Sequence, residues 1–187
     1  MPTINIQFYK TKNSEFILGS FAGKLCMLDY RYRTRRDAVD NRIKAGLSAS
    51  FLEQDDEVLQ LARAQLDEYL LGNRKTFNIP LLTVGTVFQK QVWNALINIP
   101  YGKTLSYLEL ARNINNEKAV RAVAAANGAN AISIIIPCHR IIGSKGELTG
   151  YAGGLPVKKA LLKLEGITDG GTNCGGNGLV ETINMFP

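Results

Sequence analysis

The chain has 187 residues, 45% hydrophobic and 20% charged, which fits one soluble domain of ordinary size or two small ones with apolar residues enough to bury a core. No stretch approaches the roughly 18 apolar residues of a membrane span, and Met1-Pro2-Thr3 opens into alternating sequence without a signal peptide, so a cytoplasmic protein is expected, or a nuclear one in a eukaryote. The net charge of +6 is unevenly placed: 12 Lys+Arg face 10 Asp+Glu in residues 1–76, 10 face 4 in residues 77–166 and none face 2 beyond, so the positive field lies in the middle segment and suggests an anionic partner such as nucleic acid.

Residues 4–9, 15–21 and 24–32 read as three strands, with Ile4, Ile6 and Phe8 alternating, Phe16-Ile17-Leu18 following, and Leu25, Met27 and Leu28 preceding Tyr30. Turns at Asn13-Ser14 and Ala22-Gly23 make an antiparallel meander. Arg31, Arg33, Arg35 and Arg36 form a basic run that could touch phosphate, although such runs are usually solvated, and that is the reading adopted. Residues 37–54 are weakly patterned. From 55 to 71, Val58, Leu59, Leu61, Ala62, Leu66, Tyr69 and Leu70 recur at helical spacing, with Gly72 as the stop.

Phe77 to Leu82 reads as an extended connector, and the domain boundary falls there: 1–80 as a small N-terminal antiparallel sheet-plus-helix domain, 81–166 as a mostly helical second domain, and 167–187 as a Gly-rich disordered tail that contains Cys174. Thr86 and Gln89 form a capping signature before an apolar face of Val87, Val92, Trp93, Leu96 and Ile97. Pro100-Tyr101-Gly102 ends that helix. Ser106 and Glu109 repeat the signature and open a short helix to about 112, a polar turn follows, and 117–127 forms another helix closed by Gly128. The pair has the outline of a helix-turn-helix. Its second helix, with Lys118, Ala119, Val120, Arg121, Ala122 and Ala124, lacks the long polar side chains that read base edges in the major groove. A small-residue face permits close approach to a shallow groove, with Arg121 its one central long cation. Equally, small residues let helices pack tightly, and Glu117 is placed to form an ordinary ion pair with Arg121.

Residues 132–136 are expected to be a buried strand delivering Cys138 to its end, after which Thr149 to Gly154 forms a glycine-rich loop and Pro156 opens a last helix. Pro137-Cys138-His139-Arg140 puts a thiol beside the only imidazole of the chain. In an extended segment the two side chains point to opposite faces, so either the chain turns there or a water bridges them. A buried structural cysteine beside an ordinary histidine is the plain alternative. The three cysteines, Cys26, Cys138 and Cys174, are spaced like neither a disulfide framework nor a zinc site.

Taken together, Gly85-Thr86-Val87-Phe88-Gln89, Val92-Trp93, Ile99 to Thr104, Ser106-Tyr107, Ala119 to Val123, Ala126 to Asn130, Pro137 to Arg140, Leu148 to Gly154 and Leu164-Glu165-Gly166 resemble the O6-alkylguanine-DNA alkyltransferases. The resemblance covers residues 85–166 in unbroken motif order. The N-terminal part matches only in outline, as the family's variable α/β domain. The fold it implies is α/β of the α+β kind, with a winged-helix-like DNA-binding domain. The implied activity is irreversible, single-turnover transfer of an alkyl group from guanine O6 to Cys138, with thymine O4 left open as a second substrate. His139, linked to the cysteine through a water, and Glu165, orienting the ring, match the family's activating residues, and Tyr107 matches the proton donor to guanine N3. Arg121 matches the arginine that fills the gap left by a flipped nucleotide, on a helix that enters the minor groove, with Lys118, Ala119, Val120, Ala122 and Ala124 beside it. Asn130 matches the brace between that helix and the active site. Pro137, Ile141, Tyr151 and Ala152 match the guanine pocket. The implied partner is double-stranded DNA containing O6-alkylguanine, bound by a monomer without cofactor, metal or membrane. A Cys-His-Glu thiol hydrolase and a damage-sensing relative without transfer activity are the competing readings. The first would turn over repeatedly, and the second is expected to lack the cysteine.

Overall fold

The computed structural model describes residues 1–168. Strands β1 (Thr3–Lys10), β2 (Glu15–Phe21) and β3 (Lys24–Tyr30) form the expected antiparallel meander, paired from Lys10↔Glu15 to Asn5↔Ser20 and from Phe16↔Tyr30 to Phe21↔Lys24. The sheet is nevertheless mixed. A fourth strand, β4 (Ser50–Glu53), runs parallel to β1 and completes the order β3-β2-β1-β4. The chain crosses from one edge to the other through helix α1 (Arg36–Leu47).

Both elements lie in the stretch that shows no pattern. Helix α1 starts at Arg35 in a left-handed conformation without a side-chain cap, and only Val39 and Ile43, one turn apart, are buried on it. The usual start signal and the broad apolar stripe are therefore both missing. Strand β4 is four residues long and none of them is fully buried, so no alternation is required of it.

The sheet is covered on both faces. Ile4, Ile6, Ile17 and Met27 pack with Val39 and Ile43 of α1. Phe16, Leu18, Leu25, Leu28 and Tyr30 point the other way, towards helix α2 (Glu57–Leu70) and its Leu59, Ala62, Leu66 and Tyr69. Asp56 caps α2 by accepting from the Leu59 amide, and also accepts from Asn5 and Ser20, which fixes the helix start over β1 and β2. Leu61 of the expected apolar face is exposed.

After α2 the connector lies along the outer edge of β3: the Leu25 amide donates to the Pro80 carbonyl at 2.8 Å and the Leu82 amide to the Leu25 carbonyl at 2.9 Å. The same edge takes up residues 131–133, with the Leu28 amide on Ala131 and the Ser133 amide on the Leu28 carbonyl. Helix α3 (Val87–Ile97) begins with the expected capping box of Thr86 and Gln89, although Val87 and Ile97 are exposed rather than core. A two-residue strand β5 (Leu105–Ser106) leads to α4 (Tyr107–Asn113), capped by Ser106 and Glu109. The chain then turns through Asn115, a short 3-10 turn (Glu117–Ala119) and α5 (Val120–Gly128). A second 3-10 turn (Cys138–Arg140), strand β6 (Ile141–Ile142), parallel to β5, and α6 (Leu155–Leu164) complete the order. One apolar cluster runs from Phe16 and Leu66 through Trp93 and Val123 to Ile136 and Leu161, so the two halves share a core.

Residues 132–136 are not the expected strand. They form a tight turn, with the Ile136 amide on the Ile132 carbonyl and Ile134 at φ +71°. A β-branched residue there costs about 1–3 kcal/mol. The Asn130 side chain holds the turn in place: its amide donates to the Ile136 carbonyl at 2.9 Å while its oxygen accepts from the Ile132 amide at 2.9 Å. Ile167, expected in the tail, is buried against Ile142 and Leu162. Residues 169–187 with Cys174, and so most of the expected disordered tail, lie outside the described residues.

Candidate active site

The turn braced by Asn130 runs through Pro137 into the 3-10 turn that carries Cys138, His139 and Arg140, all three buried. Cys138 Sγ accepts a hydrogen bond from Asn130 Nδ2 at 3.2 Å. Burial pushes the thiol pKa up; the Asn130 hydrogen bond opposes this, Asp29 adds to the rise, and Lys158 and Arg33 pull it down. At rest the sulfur is therefore a thiol, and its ionisation needs a base.

His139 is completely buried. Its Nε2 lies 2.9 Å from Glu165 Oε1, whereas Nδ1 is buried and has no hydrogen-bond partner among the described residues. Burial tends to raise the Glu165 pKa, but hydrogen bonds from His139 and Arg140 overcome it and hold the carboxyl at about 2. An ionised carboxylate can only accept, so Nε2 carries the proton and Nδ1 presents a lone pair. The His139 pKa is itself lowered, first by burial, against the pull of Glu165. The ring is neutral at neutral pH and able to take a proton.

Glu165, just beyond α6, also accepts from Arg140 Nε and Nη2 at 2.9 Å each, from the Tyr69 hydroxyl at 2.6 Å and from the Gly102 amide at 3.1 Å. Arg140 further donates to the Ile99 carbonyl. Tyr69 and Arg140 carry no role in the sequence reading. Arg140 stands next to the doublet, which is a signal. Tyr69 gives none beyond its place on an apolar helical face.

The Tyr151 hydroxyl is 3.0 Å from that of Tyr30, and its ring stands 6.3 Å from the His139 ring. Tyr107 opens α4, and its hydroxyl accepts from Thr149 Oγ1 at 3.2 Å. The Ile141 carbonyl accepts from Lys158 Nζ. Ala152 is half-buried and packs on the main core, and Pro137 immediately precedes Cys138.

On α5, Arg121 and Ala122 are exposed, Ala124 is half-buried, and Val120 packs on the core. In the 3-10 turn before it, Lys118 is exposed and Ala119 half-buried. The Glu117 carboxylate pairs with Arg112 at 2.7 Å, not with Arg121. Among the described residues Arg121 has no ion-pair or hydrogen-bond partner, which removes the ordinary ion pair as its explanation.

The far end of α5 corrects the solvated reading for Arg33 and Arg36 of the basic run, while Arg35 is exposed as expected. Arg33 and Arg36 pair with fully buried Asp29 at 2.8 and 2.9 Å. Arg33 also donates to the Gly128 and Asn130 carbonyls, Arg42 to the Ala129 carbonyl at 2.7 Å, and Trp93 Nε1 to the Ala126 carbonyl at 2.8 Å. The last carbonyls of a helix have no intrahelical donor and sit at its negative end, so two cations are well placed there. Spacing cannot reveal this, since the partners are nearly a hundred residues away. Among the described residues no group of three or more His, Cys, Asp or Glu is arranged to hold a metal ion.

Two family models match. The DNA binding domain of 6-O-methylguanine DNA methyltransferase matches residues 87–167, and its ribonuclease-like domain residues 7–83. A methylated-DNA–protein-cysteine methyltransferase of Methanosarcina acetivorans is 55% identical over 113 residues, 60% of this chain and 72% of the relative. An inducible one of Bacillus subtilis is 52% identical over 116 residues, 62% and 65%. Among solved structures, the Mycobacterium tuberculosis O6-methylguanine methyltransferase superposes with a TM-score of 0.73 at 36% identity, covering 87% of this chain and 92% of that one. The Mycobacterium tuberculosis OGT in complex with DNA superposes at 0.72 and 37% over the same shares.

Proposed function

The chain belongs to the 6-O-methylguanine DNA methyltransferase family, and from that premise we propose that Cys138 is the residue that receives the alkyl group. The activity is direct DNA repair: an alkyl group moves from guanine in DNA to a cysteine of the protein, which is consumed in the act. The observation that carries the assignment is a buried thiol one residue from a neutral histidine, whose Nε2 proton is committed to Glu165 and whose Nδ1 is uncommitted.

In the proposed mechanism the Cys138 proton passes through one bridging water to His139 Nδ1, and Glu165 stabilises the imidazolium that results. The thiolate attacks the alkyl carbon, the carbon–O6 bond breaks and its electron pair enters the purine. Tyr107 gives a proton to N3 as this charge develops. Its hydroxyl already accepts from Thr149, which leaves its own proton free to be donated. Asn130 holds the turn that aims the sulfur. Tyr151, Ala152, Pro137 and the Ile141 carbonyl form the guanine pocket.

A base inside a duplex is beyond the reach of a buried thiol, so the nucleotide is flipped out. Arg121, exposed and unpartnered among the described residues, fills the gap, and Ala122 and Ala124, with Lys118, Ala119 and Val120 at the helix start, bring α5 close to the minor groove. We take residues 1–80 and 81–166 as the two domains, a monomer as the working form, and the cytoplasm as the location in a bacterium or archaeon.

Labelled methyl transfer from an O6-methylguanine oligonucleotide tests the assignment. Cys138→Ala is expected to abolish transfer and keep DNA binding, while Cys26→Ser and Cys174→Ser retain it. Loss of transfer in either of the latter would move the acceptor elsewhere.

A further inference from the structure

Lys158 of α6 is completely buried, and among the described residues no carboxylate pairs with it. Its Nζ donates to the Ile141 carbonyl and, at 2.7 Å, to the Thr149 carbonyl. An isolated buried ammonium is costly, and a methionine of similar size would fill the same space without that cost. The position is therefore informative. Ile141 follows the Cys138–Arg140 turn and Thr149 precedes Tyr151, so the ammonium joins the two walls of the proposed guanine pocket. Thr149 in turn donates to the Tyr107 hydroxyl. The charge of Lys158 also acts on both Cys138 and His139.

We propose that Lys158 is a positioning residue for the transfer: its buried ammonium fastens the Thr149 loop to the Ile141 strand, and offsets the negative charge that develops on the Cys138 sulfur and then on the departing guanine. The inference rests on Cys138 being the acceptor. Burial lowers the Lys158 pKa from 10.5 to about 8, against a smaller opposing pull from Cys138. The cation is thus present below about pH 8 and lost above it. The groups that act in the same region are Cys138 and His139 from the 3-10 turn, Tyr107 from α4, and Asp29 and Arg33, which act on Cys138 from the sheet side.

The test is the single-turnover rate of methyl transfer from O6-methylguanine DNA to the full chain, followed by intact mass from about pH 6 to 9.5, in the wild type, Lys158→Arg and Lys158→Gln. If only thiol ionisation mattered, the rate would climb throughout. The wild type is expected instead to peak near the Lys158 pKa of about 8 and then decline. Lys158→Arg, charged throughout, should lose the decline. Lys158→Gln, which keeps two N–H donors without the charge, should react about tenfold more slowly at neutral pH, the equivalent of one pKa unit. A wild-type rate that climbs unbroken, or Lys158→Gln as fast as wild type, overturns the proposal. The wild-type profile decides even if Lys158→Gln fails to fold. Absence of mass gain at every pH would instead overturn the alkyl-transfer reading, and this inference with it.

Discussion

Glu165 gathers five hydrogen bonds, from Tyr69, His139, Gly102 and two from Arg140, and no solvent reaches its side chain. A carboxylate can be buried at tolerable cost only when satisfied in this way. With a folded pKa of about 2 against an ordinary 4.5, its contribution to stability is complete above about pH 4.5 and is lost as pH falls towards 2. Tyr69→Phe removes the shortest of these bonds. It should cost about 2 kcal/mol and, by raising the folded pKa, shift acid unfolding to higher pH. Chemical denaturation at neutral pH and an acid titration followed by circular dichroism check both; unchanged stability would mean that water replaces the hydroxyl. At this scale the sequence makes Cys138 and His139 legible as a doublet with Arg140 beside it, and Glu165 only by resemblance. Tyr69 and Lys158 carry no local signature, because their partners are set by long-range packing.

Helix α5 is anchored at one end and free along its exposed face. Arg33, Arg42 and Trp93 hold the carbonyls of its last turn, while Arg121 is exposed and has no partner among the described residues. An anchored helix with a free cation is suited to entering DNA without rearranging. Unstacking a base costs a few kcal/mol, so Arg121→Ala should slow repair of a duplex lesion by about tenfold or more and leave reaction with a free O6-alkylguanine base nearly unchanged. Equal slowing on both would count against the flipping role. Elements with complete local signals, the capped α3 and α4 and the meander, are legible in the sequence. Helix α1 is not, since it lacks a cap and a broad stripe. The turn at Ile134 is not either: three isoleucines in a row favour extended chain, and the Asn130 clamp, the Ile136–Ile132 bond and the pairing with Leu28 hold it bent.

Across the whole molecule, the outer edge of β3 receives both the interdomain connector and the segment that leads into the active-site turn. The N-terminal half thus supplies an edge for the active-site turn, the Asp29–Arg33–Arg36 cluster behind α5, and Tyr69 to the acid–base network. Charge partition points to a DNA-facing middle segment, but the dependence of that segment on the sheet is invisible until the chain is folded. The protein is a reagent consumed by its reaction. Full-length protein is mixed with excess O6-methylguanine duplex and followed by intact mass and by counting repaired lesions. One methyl group is expected on every active molecule, located on Cys138, with repair stopping when lesions removed equal protein present. Repair continuing past that equivalence, or lesions lost while the protein mass stays unchanged, would contradict it.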